Sequence, residues 1–259
     1  MRKKKGLSTV ASTIILSSVM LFIVLGTSAL VTQIFNVEAE NAEFSQAKYV
    51  MQSLVDAIND LIYKPYSSNY IRTGFRTTMP QLVSTGENLE IWIDDALVSE
   101  IPVRIVMIQG GLKVNAMEEN IIGSSNILLT NLSYPLGRVY VQRNDRAEII
   151  LDFSRARVSY LGTYEFYDGG DENTYNVVEI IAVNLSFGTI QAHEESTFSI
   201  RNLGLDFYQI EKSGNFTISI KLSDSEESVS LEDLGGDLLK PTLINLEIVN
   251  IQISLYGGS

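Results

Sequence analysis

The order of hydrophobic and polar residues divides the chain into three stretches with different periods. From Gly6 through Val37 no side chain carries a charge. At 1.5 Å per residue, Leu7 to Val37 would run about 45 Å as a helix, against a hydrocarbon thickness of about 30 Å, so the stretch overshoots a simple membrane span. From Phe44 the apolar positions fall at Phe44, Ala47, Met51, Leu54, Val55, Ile58, Leu61 and Ile62. That three-four spacing is one stripe of an amphipathic helix, and Glu43, Gln46, Gln52, Asp56, Asn59 and Asp60 fall on its other faces. Pro65, followed by Tyr66, Ser67, Ser68 and Asn69, stops the helix. The pattern therefore predicts one helix over 7–62 and a linker over 63–69. Its apolar half is suited to packing against copies of itself. Its amphipathic half is suited to docking one face on the chain's own domain.

From residue 70 to the end the period becomes two. Glu90 to Asp94, Val103 to Ile108, Arg138 to Gln142 and Thr217 to Leu222 alternate or run apolar over strand lengths. Turn residues separate them at Gly110-Gly111, Asn144-Asp145, Asp168 to Asp171, Lys212 to Asn215 and Gly235-Gly236. Arg138 to Ser154 reads as a hairpin turning at Asn144. Leu243 to Tyr256 reads as a long final strand that could close a sheet. Ten or more short strands with few helical signals predict an antiparallel β-sandwich, one Ig-like unit or a larger, stacked pair. The fold class is α+β, a long N-terminal hydrophobic helix followed by a β-rich domain over 70–259.

Charge fixes the orientation. Arg2, Lys3, Lys4 and Lys5 precede the apolar run, and Glu38, Glu40 and Glu43 are the first charges after it. The positive-inside bias then puts the N-terminus in the cytoplasm and the β-rich part outside. Three kinds of start share this outline: a cleaved secretory signal, a plain anchor, and a leader cut on the cytoplasmic side. An ordinary signal has an apolar region of roughly 7–15 residues ending at a small-residue site, and this run is about twice as long.

The order of residues in Lys3-Lys4-Lys5-Gly6, followed by Leu7-Ser8-Thr9-Val10-Ala11-Ser12-Thr13-Ile14-Ile15-Leu16, resembles the class III signal peptide of archaeal type IV pilins and archaellins. The resemblance covers about thirty residues and implies that a prepilin peptidase cuts between Gly6 and Leu7. It makes residues 1–6 a leader and Leu7 the mature first residue. Bacterial type IV pilins have glutamate at the fifth mature position; Ala11 stands there, which favours the archaeal branch. The resemblance implies a subunit of a surface filament for adhesion or motility. Its helices would bundle through Val10, Ile14, Ile15, Leu21, Ile23, Val24, Leu30, Ile34 and Phe35. It further implies a precursor held in the cytoplasmic membrane, and as partners the peptidase, the pilus assembly machinery and other copies of the chain. Removing four of the 19 basic residues would leave 15 against 31 acidic, a formal −16. The alternative is a monomeric, single-pass membrane-anchored ectodomain that binds a ligand at the cell surface.

Chemistry is sparse. There is no cysteine, so thiolate catalysis, disulfides and cysteine-held metals are excluded. A formal charge of −12 argues against nucleic acid as a partner. The single histidine, His193, sits in a polar, turn-like stretch and leaves no multi-histidine metal site. Asp168, Asp171 and Glu172 lack calcium-loop spacing, Asp224 to Glu227 reads as a solvated loop, and Asp94 and Asp95, as strand neighbours, would face opposite sides of a sheet. No enzyme activity and no cofactor is expected. Asn131, Asn184 and Asn215 each begin an N-glycosylation acceptor triplet, of which Asn215, in a hairpin turn, would be the most exposed.

Overall fold

A computed structural model describes residues 5–124, 127–168, 171–191 and 195–257. α1 (Lys5–Ile62) is unbroken over 58 residues. Nothing in its first half interrupts it, and it passes straight through Gly26, where a Cβ would meet open space. Gly26 is therefore a notch in the helix surface and not a point of unwinding. α1 stops where Pro65 and Tyr66 turn the chain, Tyr66 taking a left-handed φ of 62°. The connection is shorter than the expected 63–69, because β1 (Ser68–Gly74) already begins at Ser68.

Twelve further strands follow: β2 (Met79–Ile93), β3 (Ala96–Gln109), β4 (Glu119–Ile122), β5 (Leu129–Thr130), β6 (Arg138–Arg143), β7 (Ala147–Asp152), β8 (Ala156–Asp168), β9 (Asp171–Ile190), β10 (Glu195–Lys212), β11 (Thr217–Leu222), β12 (Ser225–Ser230) and β13 (Thr242–Gly257). They make two sheets, ordered β1-β10-β13-β9-β8-β5 and β12-β11-β2-β3-β7-β6-β4. Pairing is antiparallel apart from two parallel pairs, β13 with β9 and β5 with β8. The hairpin over 138–154 is formed as β6 and β7 around Asn144.

Several expectations are corrected. The final strand does not close a sheet: β13 lies inside it, between β10 and β9. The strand ending at Asp94 ends at Ile93, and Asp94 and Asp95 form the β2–β3 turn, with Asp94 at φ 54°. Asp224 to Glu227 is no loop: from Ser225 it belongs to β12, and the Glu227 carboxylate accepts the backbone N–H groups of Leu128 and Leu129 at 2.9 and 2.8 Å. The strands are not uniformly short, since β9 and β10 span 20 and 18 residues.

The domain has two cores. The first gathers the second half of α1 between the two sheets. Val106, Ile108, Ile149 and Leu151 of the second sheet close it on one side, and Phe198, Ile200, Ile251 and Ile253 of the first on the other. The second core lies between the sheets alone, with Leu89, Ile91, Ile218 and Ile220 against Val178, Ile180, Leu246 and Ile244. β9 serves both, through Val178, Ile180 and Ala182 on one face and Ile181, Val183 and Leu185 on the other. Successive strand residues point to opposite faces, so β9 is buried on both sides; this is why it is rich in Val and Ile and does not alternate.

Candidate assembly helix and its docking site

α1 has two environments and no joint between them. Ile14, Ile15, Leu21, Ile23, Val24, Leu30, Ile34 and Phe35 are between 58% and 68% exposed, and the chain's own domain covers none of them. By length and composition this helix can cross a membrane. Three of its hydroxyls are satisfied within the helix: Ser18, Thr27 and Thr32 donate to the carbonyls of Ile14, Ile23 and Ser28 at 2.8 to 2.9 Å. The first half can therefore enter an apolar medium or a bundle without stranding these groups. Lys5, Gly6, Leu7 and Val10 lie in the helix, while Lys3 and Lys4 lie outside the described residues.

In the second half, all eight residues of the expected stripe are buried, from Ala47, Met51, Leu54 and Ile58 at 0% exposure to Ile62 at 4%. Val50 and Ala57 join them, a widening the stripe did not include. A helix held between two sheets buries more of its circumference than one lying on a single surface.

Polar groups fix both ends of this docked segment. At the lower end the Glu43 carboxylate accepts the backbone N–H groups of Arg76, Thr77 and Thr78 at 2.7, 2.8 and 2.9 Å and the hydroxyls of Thr77 and Thr78 at 3.0 and 2.9 Å. Three successive amides converging on one carboxylate form an anion nest. One turn earlier, Glu40 accepts the Lys113 N–H at 2.9 Å and Asn41 the Asn115 N–H at 3.3 Å; just over one turn later, Lys48 pairs with Glu119. At the upper end the side-chain amide of Asn202 donates to the Leu61 carbonyl at 2.7 Å, a second donor to an oxygen that also accepts the Lys64 N–H at 3.0 Å. Periodicity placed Glu43 off the apolar face. Its partners lie more than thirty residues away, and no local signal marks them.

Burial pushes the Glu43 carboxyl up, but the hydrogen bonds from Thr78 and Thr77 outweigh it and hold the group below the ordinary carboxylate value. A carboxyl with a depressed folded pKa contributes stability that is complete above its unfolded pKa and is lost as pH falls through the folded one. Glu43→Gln is expected to lower stability at neutral pH by about 1–3 kcal/mol, since it removes a charged acceptor from three backbone amides. It is also expected to flatten the loss of stability on acidification. Thermal unfolding of the detergent-solubilised full chain between neutral and acidic pH measures both. An unchanged acid limb in Glu43→Gln would mean that other carboxylates carry it.

The remaining expectations sort by position. Asn131 sits in an exposed turn, its side chain accepting the Ser133 N–H at 2.9 Å, and Asn215 is exposed between β10 and β11. Asn184 is half-buried within β9, and its amide nitrogen donates to Asn250 Oδ1 at 2.8 Å. His193 and the side chains of Asp168, Asp171 and Glu172 lie outside the described residues. Asp94 is tied to Lys212 at 2.8 Å and to the Thr217 N–H at 3.0 Å. Among the described residues no group of three His, Cys, Asp or Glu side chains could hold a metal ion. A cavity of about 320 Å³ is lined by Arg138, Ser154, Arg155 and Ser225. Asp152 already pairs with Arg138 at 2.6 Å beside it.

No model of a known family, no curated protein and no solved structure matches this chain.

Proposed function

We propose that the protein is the structural subunit of an archaeal type IV pilus-like surface filament serving adhesion or motility. It assembles by bundling of its N-terminal helices after a prepilin peptidase cuts between Gly6 and Leu7. Before assembly it stands in the cytoplasmic membrane, with its N-terminus inside and the β-rich domain outside, a substrate of the peptidase and the pilus assembly machinery. The reading gives it no catalytic role and no cofactor.

The observation that carries this reading is the single unbroken α1, uncharged from Gly6 to Val37, uncovered by the domain from Ala11 to Asn36, and built into the domain core over its second half. A simple anchor needs only to hold an ectodomain near a bilayer, and a flexible tether does that. Here any displacement of the apolar half is transmitted to the domain without slack, which is what helix packing must do to set the positions of successive domains in a polymer. The uncovered side chains surround the whole helix, so each could pack against several neighbours.

The deciding experiment is N-terminal sequencing and sedimentation of protein sheared from native cells. A mature start at Leu7 in pelletable, high-molecular-weight material is expected. An intact Lys3-to-Gly6 leader found only in the membrane fraction would overturn the proposal and leave an anchored ectodomain.

A further inference from the structure

The first sheet is open on both sides. β1 covers β10 only from Glu195 to Arg201, so beyond that residue β10 is an edge strand. β5 covers β8 only at Ala156 and Arg157, which leaves the rest of β8 as the opposite edge. On β10, five consecutive residues from Leu205 to Gln209 are exposed, with Leu205, Phe207 and Tyr208 at 39%, 51% and 46%. On β8, Leu161, Tyr164 and Phe166 are 42%, 49% and 42% exposed. Neither stretch contains proline, and neither has a lysine before Lys212. Edge strands are ordinarily protected by such residues, by charge or by brevity. The second sheet follows that rule, with Glu226 and Glu227 on one edge strand and only four residues in the other, β4. On the first sheet each of these exposed stretches carries a single acid, Asp206 on β10 and Glu165 on β8, among larger exposed apolar side chains.

Strand direction identifies the occupant. β1 returns alongside α1, because Glu43 holds Arg76 to Thr78 at one end and the Ser67 N–H donates to the Lys64 carbonyl at the other. The lengths agree: residues 43 to 61 rise about 27 Å as helix, and 68 to 76 about 26 Å as strand. β10 is antiparallel to β1 and so runs in the same sense as α1. β13 is antiparallel to β10, β9 is parallel to β13, and β8 is antiparallel to β9, so β8 also runs with α1. The two free stretches are offset in level: Phe207 is joined through Glu247 and Ile181 to Arg157, which β5 covers, whereas Tyr164 lies opposite Tyr175, six residues or about 20 Å further along.

We infer that the free edge of β10 pairs in parallel with the free edge of β8 on a second copy of this chain, so that the first sheet continues from one copy to the next. The inference rests on the filament reading in one respect, that copies stand with α1 parallel. In that arrangement β10 of one copy and β8 of its neighbour point the same way, and a displacement of about 20 Å along α1 between the two copies brings Phe207 beside Tyr164. A two-fold, antiparallel contact of β10 with itself would set the two helices pointing in opposite directions. A β10-to-β8 contact is head-to-tail and leaves a free edge at each end, so it propagates. The affinity comes from main-chain hydrogen bonds, with the exposed aromatic and aliphatic side chains packing across the join.

The absence of cysteine gives a clean test. Full-length Phe207→Cys and Tyr164→Cys chains, carrying different affinity tags, are expressed singly and together and treated on cells with a bifunctional maleimide. A mixed dimer is expected only on co-expression, and a ladder of higher species from the double variant. Adding Leu205→Lys to the Phe207→Cys chain, at an exposed position, is expected to abolish the mixed dimer without moving the thermal unfolding midpoint. Dimers from Phe207→Cys alone, or no mixed dimer, overturn the pairing. Pelletable material starting at Leu7 without mixed dimer removes this inference and leaves the filament. Mixed dimer in membrane protein that keeps its leader does the reverse.

Discussion

Replacing Leu54 with aspartate is expected to unfold the β-rich domain, even though the substitution lies in the helix. Leu54 has no exposed surface and sits midway along the docked half of α1, in the core that also holds Ile108, Leu151, Phe198 and Ile253. A carboxylate there has no partner and must either ionise in an apolar surrounding or bury a proton, and both cost several kcal/mol. Leu54→Ala is the graded form. It is expected to cost about 2–5 kcal/mol through lost transfer energy and the cavity left behind. Against a typical domain stability of about 5–15 kcal/mol, the alanine variant folds with a lowered midpoint and the aspartate variant does not. Thermal unfolding and limited proteolysis of the solubilised full chain report both. A Leu54→Asp domain melting with the wild type would mean that the helix is dispensable to the core.

Val24→Lys is expected to give the opposite outcome. Val24 is 61% exposed and touches nothing in the domain, so the unfolding midpoint of the β-rich part stays at the wild-type value. What is lost is everything that depends on the apolar half. A lysine near the middle of a spanning helix costs about 2.5–3.5 kcal/mol for insertion, and in a bundle it would leave an unpaired charge against neighbouring helices. Quantification of membrane-retained and pelletable protein is expected to show a sharp fall in both. Wild-type amounts of both would show that the uncovered half is not what holds the protein in place. Together the two substitutions separate the tasks of one helix, because each disables a different half.

The extent of α1 was legible because independent signals agree: absence of charge to Val37, three-four spacing from Phe44, and Pro65 just past the end. The docking residues were legible for the same reason, except Val50 and Ala57, which are buried only because a second sheet closes over the flank of the helix. Alternation exposed β3, β6 and β11, each of which has a distinguishable inside and outside. It could not expose β9. In Val177 to Val183 only Glu179 interrupts the apolar run, and a strand covered on both faces has no period to read. The same two-faced burial put β13 inside the sheet where its sequence suggested a closing edge. The clamps at Glu43 and Asn202 were illegible for another reason. Each acceptor or donor finds its partner through tertiary approach, and a glutamate bound to three amides is written no differently from one in water.

The unbroken passage of α1 from its uncovered half into the core makes residue count a mechanical setting. Each residue of an α-helix advances about 1.5 Å and turns about 100°. Between Val37, where the uncharged run ends, and Phe44, where burial begins, there is no glycine, proline or loop to absorb an error of register. Inserting or deleting one residue there would leave both halves chemically intact. It would nonetheless swing the whole β-rich domain by about 100° around the helix axis, taking both open edges of its first sheet out of the bearing that the proposed pairing between copies requires. The chain behaves as a threaded bolt whose head is welded on, so the length of that short neck is as constrained as any side chain in the core.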